Sequence, residues 1–383
     1  MKRSRSCLAL AALGCGVGWA AGGTAVAADV GGIVAGATAE GRMQSDTLYG
    51  GGQNFVSVIS PDIGYRLIGP TLDLSLRYDG DFYQYMGDTP RTDANHQGTL
   101  HLKDRPSARS TVAADGSLQY VTDPLALDRL GIPRTTSPVI FGIAATEEDQ
   151  RLSSRWTLKL GYQFQVAHFE DPTLIDGEVH APWLAAAYRL SMGDTLTLQY
   201  RSQIFLRVIS PNGTAQTPSL AWEHRFGPRI RLDLAAGPIL YVDPTGAPGW
   251  TEYVATGLIY ELHHGELEFV GGRDLVGATG FGTALWADYV QGGAIARLSR
   301  RWSGRLVGTY FVDGLPPAEP AALSGYGAEA AVDYRPARDW TLEAAVDRIG
   351  QTGGAPGDGS FNLALELAAV RVTWQWGSDR RLR

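Results

Sequence analysis

Seven histidines, two cysteines and several acid pairs are the residues of this chain best equipped for chemistry, and their spacing points away from a catalyst. His96, His101, His168, His180, His224, His263 and His264 stand in no metal-ligand or hydrolase motif, and His263-His264 beside Gly265 reads most simply as a polar turn. The acid pairs Glu147-Glu148 and Glu266/Glu268 fall near expected strand ends or in a connection, where they solvate the backbone or weakly hold a cation. No catalytic, cofactor-binding or metal residue is assigned, and no cofactor is expected. A membrane-embedded hydrolase of the Ser-His type survives as a remote alternative, because triads assemble from distant residues.

The thiols are removed from consideration by their position. Residues 1–27 read as an export signal: Lys2, Arg3 and Arg5, then an apolar stretch from Cys7, then Ala25-Val26-Ala27 before Ala28. Cleavage between Ala27 and Ala28 takes away both Cys7 and Cys15, which excludes a cysteine nucleophile, a thiolate metal site and a disulfide scaffold together. Leu13-Gly14-Cys15 also admits a lipoprotein reading with Cys15 acylated, although Ala12 stands where such motifs usually carry leucine. The whole chain has a formal charge of −7, and losing the leader's three bases makes it more acidic still. Nucleic acid is therefore not an expected partner.

The remaining chain must position whatever function it has on strands. No later stretch supplies 18 consecutive apolar residues, and the mean hydropathy is −0.11, so helical spans are absent while half-apolar strands fit. Short polar turns recur at near-regular intervals, at Gly69, Asp104, Ser154, Gly193, Gly227, Gly265, Arg300 and Ala337. The runs between them alternate. Trp156, Leu158, Leu160, Tyr162, Phe164 and Val166 oppose Thr157, Lys159, Gly161, Gln163 and Gln165; Leu196, Leu198, Tyr200 and Ile204 oppose Thr197, Gln199, Arg201 and Gln203. Such a strand has one face in lipid or core and one in water.

Two features favour lipid. Tyr65, Tyr188, Phe226 and Tyr334 come just before short turns and Trp156, Trp302 and Trp340 just after them, which draws one interfacial girdle. Arg66, Arg189, Arg225, Arg335, Arg155 and Arg301 stand beside these aromatics, in reach of lipid phosphate by this reading. The connections between the short turns are longer and rich in Pro, Gly and Asp: Met43 to Gln53, Val121 to Ser137, Asp243 to Pro248, Asp313 to Leu323 and Gln351 to Gly359. Short turns at one end and long loops at the other are the outer-membrane arrangement. With a first strand near Gly31 to Arg42 and a last near Phe361 to Trp376, the count is about eighteen, sixteen being the nearest alternative. The parity depends on Val139 to Leu152, whose alternation is poor. The expectation is an all-β, transmembrane antiparallel barrel over residues 28–377, with short periplasmic turns, longer extracellular loops and a polar tail at 378–383.

A loose pattern spans nearly all of this barrel, seen in Ser60-Pro61-Asp62-Ile63-Gly64-Tyr65-Arg66 with Leu72-Asp73-Leu74-Ser75-Leu76-Arg77-Tyr78. It returns in Leu152-Ser153-Ser154-Arg155-Trp156-Thr157-Leu158-Lys159-Leu160-Gly161-Tyr162 and in Tyr188-Arg189-Leu190-Ser191. In this the chain resembles the outer-membrane barrels associated with exopolysaccharide and capsule export, in exosortase-linked and Wzx/Wzy-type systems. The resemblance implies a barrel in the outer membrane after Sec-type export, polysaccharide as cargo and a periplasmic polysaccharide-export lipoprotein as partner. It carries no catalytic motif.

If the polar faces point inward, the lumen is lined by Arg77, Asp79, Lys159, Arg189, Arg201, Arg207, Glu223, Arg225, Arg231, Asp233, Arg305, Glu329 and Asp333. Barrels of this size can hold a water channel, and mixed charge suits a neutral or weakly charged solute. The same side chains could instead pair across the lumen and fill it, giving a structural barrel that presents loops or anchors a periplasmic complex. Within Val121 to Ser137, Asp123 can cap a short helix through Asp128 and Arg129 to Gly131. Folded inward it would constrict the pore; on the rim it would stiffen the mouth.

Overall fold

The structure is a computed structural model that describes residues 30–46, 53–87, 90–122, 137–207, 212–243, 246–277, 280, 284–314, 321–354 and 360–377. Among them there is no helix. Eighteen strands follow in order: β1 (Val30–Asp46), β2 (Gln53–Ile68), β3 (Leu72–Met86), β4 (Arg91–Ser107), β5 (Ser110–Val121), β6 (Val139–Arg151), β7 (Trp156–Phe169), β8 (Gly177–Arg189) and β9 (Asp194–Arg207). The second half holds β10 (Gly213–Phe226), β11 (Ile230–Val242), β12 (Pro248–Leu262), β13 (Gly265–Val276), β14 (Leu285–Arg297), β15 (Trp302–Gly314), β16 (Ala321–Tyr334), β17 (Trp340–Gly354) and β18 (Ser360–Gly377). Each strand pairs antiparallel with its chain neighbours, and β1 closes the ring on β18 from Val34↔Gly377 to Asp46↔Leu365. Closure leaves no edge, which is what an extended chain needs in order to lie in lipid with its backbone groups bonded.

The alternation becomes the two faces of the wall. Large apolar side chains such as Ile63, Leu76, Leu160, Leu198, Leu306 and Val370 are exposed on the outside. Toward the short turns the belt ends in aromatics: Trp156 lies 4.7 Å from Tyr188, Trp302 lies 4.7 Å from Tyr334, and Trp340 pairs in register with Trp374. The fold is therefore a transmembrane barrel. Its strands, 12 to 18 residues long, exceed the 9–11 or so that a tilted strand needs to cross hydrocarbon, so the wall extends beyond the apolar belt.

The structure has eight short turns, as the sequence predicts in number, and the expected strand Val139 to Leu152 is present as Val139–Arg151, which keeps the strand number even. Some boundaries move. Met43 to Asp46 continue β1, Asp313 and Gly314 continue β15, and Gln351 to Gly354 continue β17, so the long connections are shorter than expected. The second turn lies at 108–109, not at Asp104, and the β4–β5 ladder shifts between Asp104 and Ser107. The cause is Pro106, which has no N–H to give the ladder. Pairing is likewise interrupted beside Pro61, Pro182 and Pro218.

Candidate functional site

The inward face of the barrel has two zones. Near the short turns the inward residues are polar, charged and partly accessible. Toward the long connections they are buried and mostly apolar: Val56, Val58, Tyr83 and Tyr85 on β2 and β3; Leu285, Phe311 and Leu323 on β14 to β16; Leu363 and Leu365 on β18, with buried Gln44, Asn95 and Gln351 on β1, β4 and β17. The largest cluster runs from Val121 and Phe141 through Val179, Phe205, Ile239 and Tyr253 to Leu275 and Ala284. Side chains at such positions could point into a wide channel. Here they are instead covered.

In the polar zone nearly every charge has a partner on its own or an adjacent strand. Arg77 reaches Asp79 at 2.7 Å and Asp62 at 3.5 Å. Lys159 reaches Glu147 at 3.0 Å and Asp149 at 3.3 Å. Glu223 lies 2.9 Å from Arg225, and Arg231 lies 2.9 Å from Asp233. Arg305 pairs with Glu329, while Asp333 accepts a hydrogen bond from Ser303 Oγ at 3.1 Å. Across the closing strands, Arg371 bridges Glu40 and Glu343, each at 2.5 Å. Such pairs hold the wall's charges on the wall, because neighbouring strands set cross-strand partners close together.

One pair behaves differently. Arg201 on β9 binds Asp274 on β13 through two contacts, at 2.9 and 2.5 Å, although three strands separate them along the wall. Both side chains are about 5% accessible (5% and 4%). Gln203 Nε2 donates to the Leu275 carbonyl at 3.2 Å, and the Tyr253 ring lies beneath the Arg201 guanidinium at 5.3 Å. The alternation of β13 breaks here, with Asp274 and Leu275 buried in succession. Beyond it the chain continues inward: the Ile175 N–H donates to the Gly280 carbonyl at 2.9 Å, joining the β13–β14 connection to the β7–β8 connection. Gly280 has a φ of +87° and rests against Leu174 and Phe169, a backbone form and a close approach that favour glycine. The described part of the closure is thus built from the β7–β8 and β13–β14 connections, latched by Arg201–Asp274.

Of the residues expected to line the lumen, Arg77, Asp79, Lys159, Arg189, Arg201, Glu223, Arg225, Arg231, Asp233, Arg305, Glu329 and Asp333 all fall on the inward parity of their strands. Arg207 ends β9, and its side chain lies outside the described residues, as do Asp123, Asp128 and Arg129 of the proposed constriction and Ala27-Ala28 of the cleavage site. Arg201 is a latch and not a water-facing lining residue. Arg66, Arg189 and Arg225 do not meet lipid phosphate as expected. Their neighbours Tyr65, Tyr188 and Phe226 face outward, and one step along a strand reverses the face. Glu40 and Arg371 lie on the inward parity of the end strands, and Asp274 on that of β13; it is Leu275 beside it that is buried against the alternation.

Four histidines sit beside carboxylates: His101 on Asp115 and His168 on Asp176, each at 2.5 Å, His180 on Glu178 at 3.6 Å, and His224 on Asp194 at 2.6 Å. Ser191 completes a Ser/Asp/His set with the last, yet its hydroxyl donates to Asp194 Oδ2 and not to the imidazole. A hydrolase needs serine on the histidine. Among the described residues no group of three or more His, Cys, Asp and Glu has the placement of a metal site.

No family model matches the chain, and no curated protein matches it. Among solved structures it is similar to OccK7 (OpdD) of Pseudomonas aeruginosa, at 11% identity over 91% of this chain and 99% of that one, with a TM-score of 0.48. OccK9 (OpdG) of the same organism gives 12% identity, 90% and 98% coverage and a TM-score of 0.47. OccAB4 of Acinetobacter baumannii gives 8%, 90%, 98% and 0.46. The outer membrane protein OpdK of Pseudomonas aeruginosa is a further structural neighbour, at 9% identity and a TM-score of 0.43.

Proposed function

We propose that this barrel is an outer-membrane conduit whose lumen, in the conformation described, is closed toward the long connections and open as a polar vestibule toward the short turns. The observation that carries the proposal is the division of the inward face into those two zones. A purely structural barrel gains nothing from a hydrated, charge-lined half beneath an apolar septum, because each lumen charge costs desolvation that its partner only partly offsets. A gate needs that arrangement: an apolar closure that excludes ions and a polar chamber that receives cargo.

Polysaccharide is the cargo by the resemblance read from the sequence, and a periplasmic export lipoprotein docked on the short turns is the partner that would open the closure. The leader at residues 1–27 supplies Sec-type export to the outer membrane. Current through planar bilayers holding the full-length chain tests the conduit directly. Steps that oligosaccharides block support it. Silence, in wild type and in a latch-broken Asp274→Asn chain alike, favours the second reading, a non-conducting scaffold, which the burial of inward side chains around the whole long-connection end would also suit.

A further inference from the structure

The short-turn end concentrates positive charge. Seven of the eight short turns bring arginine there, usually two; the sixth is the exception, with Glu261, His263, His264 and Glu266 in their place. This happens in a chain whose net charge is −7. The parity of the strands divides the cations into two sets. Arg155 sits on its turn and donates from Nη1 to the Tyr188 hydroxyl at 3.3 Å, in the outward girdle. Arg66, Lys103, Arg151, Arg189, Arg225 and Arg297 instead share the inward face with the lumen residues opposite them, such as Arg151 with Thr157 and Arg189 with Thr195.

Arg66 lies 3.7 Å from Asp73 and Arg225 lies 2.9 Å from Glu223, but three of these inward cations are less neutralised than the charges deeper in the vestibule. Lys103, Arg151 and Arg189 form no ion pair with any described carboxylate. Arg225 and Arg231 stand directly opposite each other, an arrangement of like charges that disfavours the ladder and is tolerated here through Glu223. The mouth thus carries an excess of positive charge, broken by Asp73 and by Glu261 and Glu266 at the sixth turn; such an excess around a low-dielectric mouth focuses the field and raises the local concentration of the opposite charge.

We propose that this mouth admits an anionic polymer, a polysaccharide bearing carboxylate or phosphate groups, entering from the side of the short turns. The proposal rests on the conduit reading and names its cargo class. Lipid headgroups do not explain the ring, because they lie outside the girdle and meet Arg155, whereas the inward cations lie one residue round the wall. A neutral polymer does not explain it either, since nothing in such a cargo would need an excess of one sign at the entrance.

The test uses the full-length chain in nanodiscs of zwitterionic lipid and fluorescently tagged oligogalacturonate, with a malto-oligosaccharide of equal length as the neutral probe. The uronate is expected to bind about tenfold or more tightly than the neutral probe, and binding should weaken as salt screens the ring. The triple variant Lys103→Gln, Arg151→Gln, Arg189→Gln should lose about tenfold in affinity, the scale of three exposed ion pairs added together, while Arg155→Gln should lose none. Heat-dependent gel mobility establishes that each variant is folded. Equal binding of the two probes, an unchanged triple variant, or displacement of the uronate by phosphatidylglycerol added to the disc would overturn the proposal. Failure of the conduit reading is seen separately as silence in the bilayer recordings, which do not depend on the ring.

Discussion

Arg201 and Asp274 are the residues on which the closure most depends. Breaking a buried ion pair leaves one charge without its partner and costs about 3–5 kcal/mol, whereas replacing both by apolar groups of similar size is often neutral. Asp274→Asn or Arg201→Met alone is therefore expected to loosen the closure and lower the unfolding midpoint, and the double change Arg201→Met with Asp274→Leu to recover most of the loss; chemical denaturation of the three variants checks this. A second prediction concerns pH. At the fourth short turn, hydrogen bonds from Ser191 first and His224 next hold the Asp194 carboxyl below the usual carboxylate range. A depressed folded-state pKa gives stability that is present above the unfolded pKa of about 3.9 and is lost as pH falls through the folded value. Asp194→Asn should therefore lower stability modestly near neutrality and change little below the folded value, so that the acid limb of the curve is flatter. At this scale the sequence was partly legible. Alternation placed Arg201 inward, but its partner lies four strands away along the wall, and periodicity carries no information about which inward residues meet across the lumen.

The aromatic girdle and its facing glycines govern the elements. Trp156 and Trp302 each pack on a tyrosine of the next strand at 4.7 Å, and such pairs contribute about 0.5–1.5 kcal/mol beyond buried area. Trp156→Ala and Trp302→Ala should each destabilise by about 1 kcal/mol or more and should add, since they sit on separate strand pairs. Inside the wall, Trp183 lies flat over its register partner Gly161, so that a Cβ there would collide with the indole. Gly161→Leu should drive Trp183 into the vestibule at a cost of about 1–3 kcal/mol, visible as a red shift in tryptophan emission and a lower midpoint. Strand number, the short turns and the outward face were all readable, because a period of two and aromatic position depend only on nearest neighbours. The second turn was misplaced by the charge cluster Lys103-Asp104-Arg105, which looked like a turn but is carried through by a bulge at Pro106.

On the scale of the whole molecule, the proposal makes the lumen a half-closed vessel. From the sequence came a list of charges on the inward parity, while the apolar inward residues were hidden. Val56, Ile239 and Leu363 read as ordinary strand residues until register put them inside the ring. The expectation of a neutral or weakly charged solute came from counting lumen charges together; the proposal of an anionic cargo comes from separating mouth from vestibule. The most direct measurement is single-channel current through the full-length chain in a planar bilayer, wild type against Asp274→Asn, with folding of both established by gel mobility. A gated conduit gives rare or small steps in wild type and larger or longer ones in Asp274→Asn, blocked by oligosaccharide from the short-turn side. Silence in both chains, or identical currents unaffected by oligosaccharide, would contradict it.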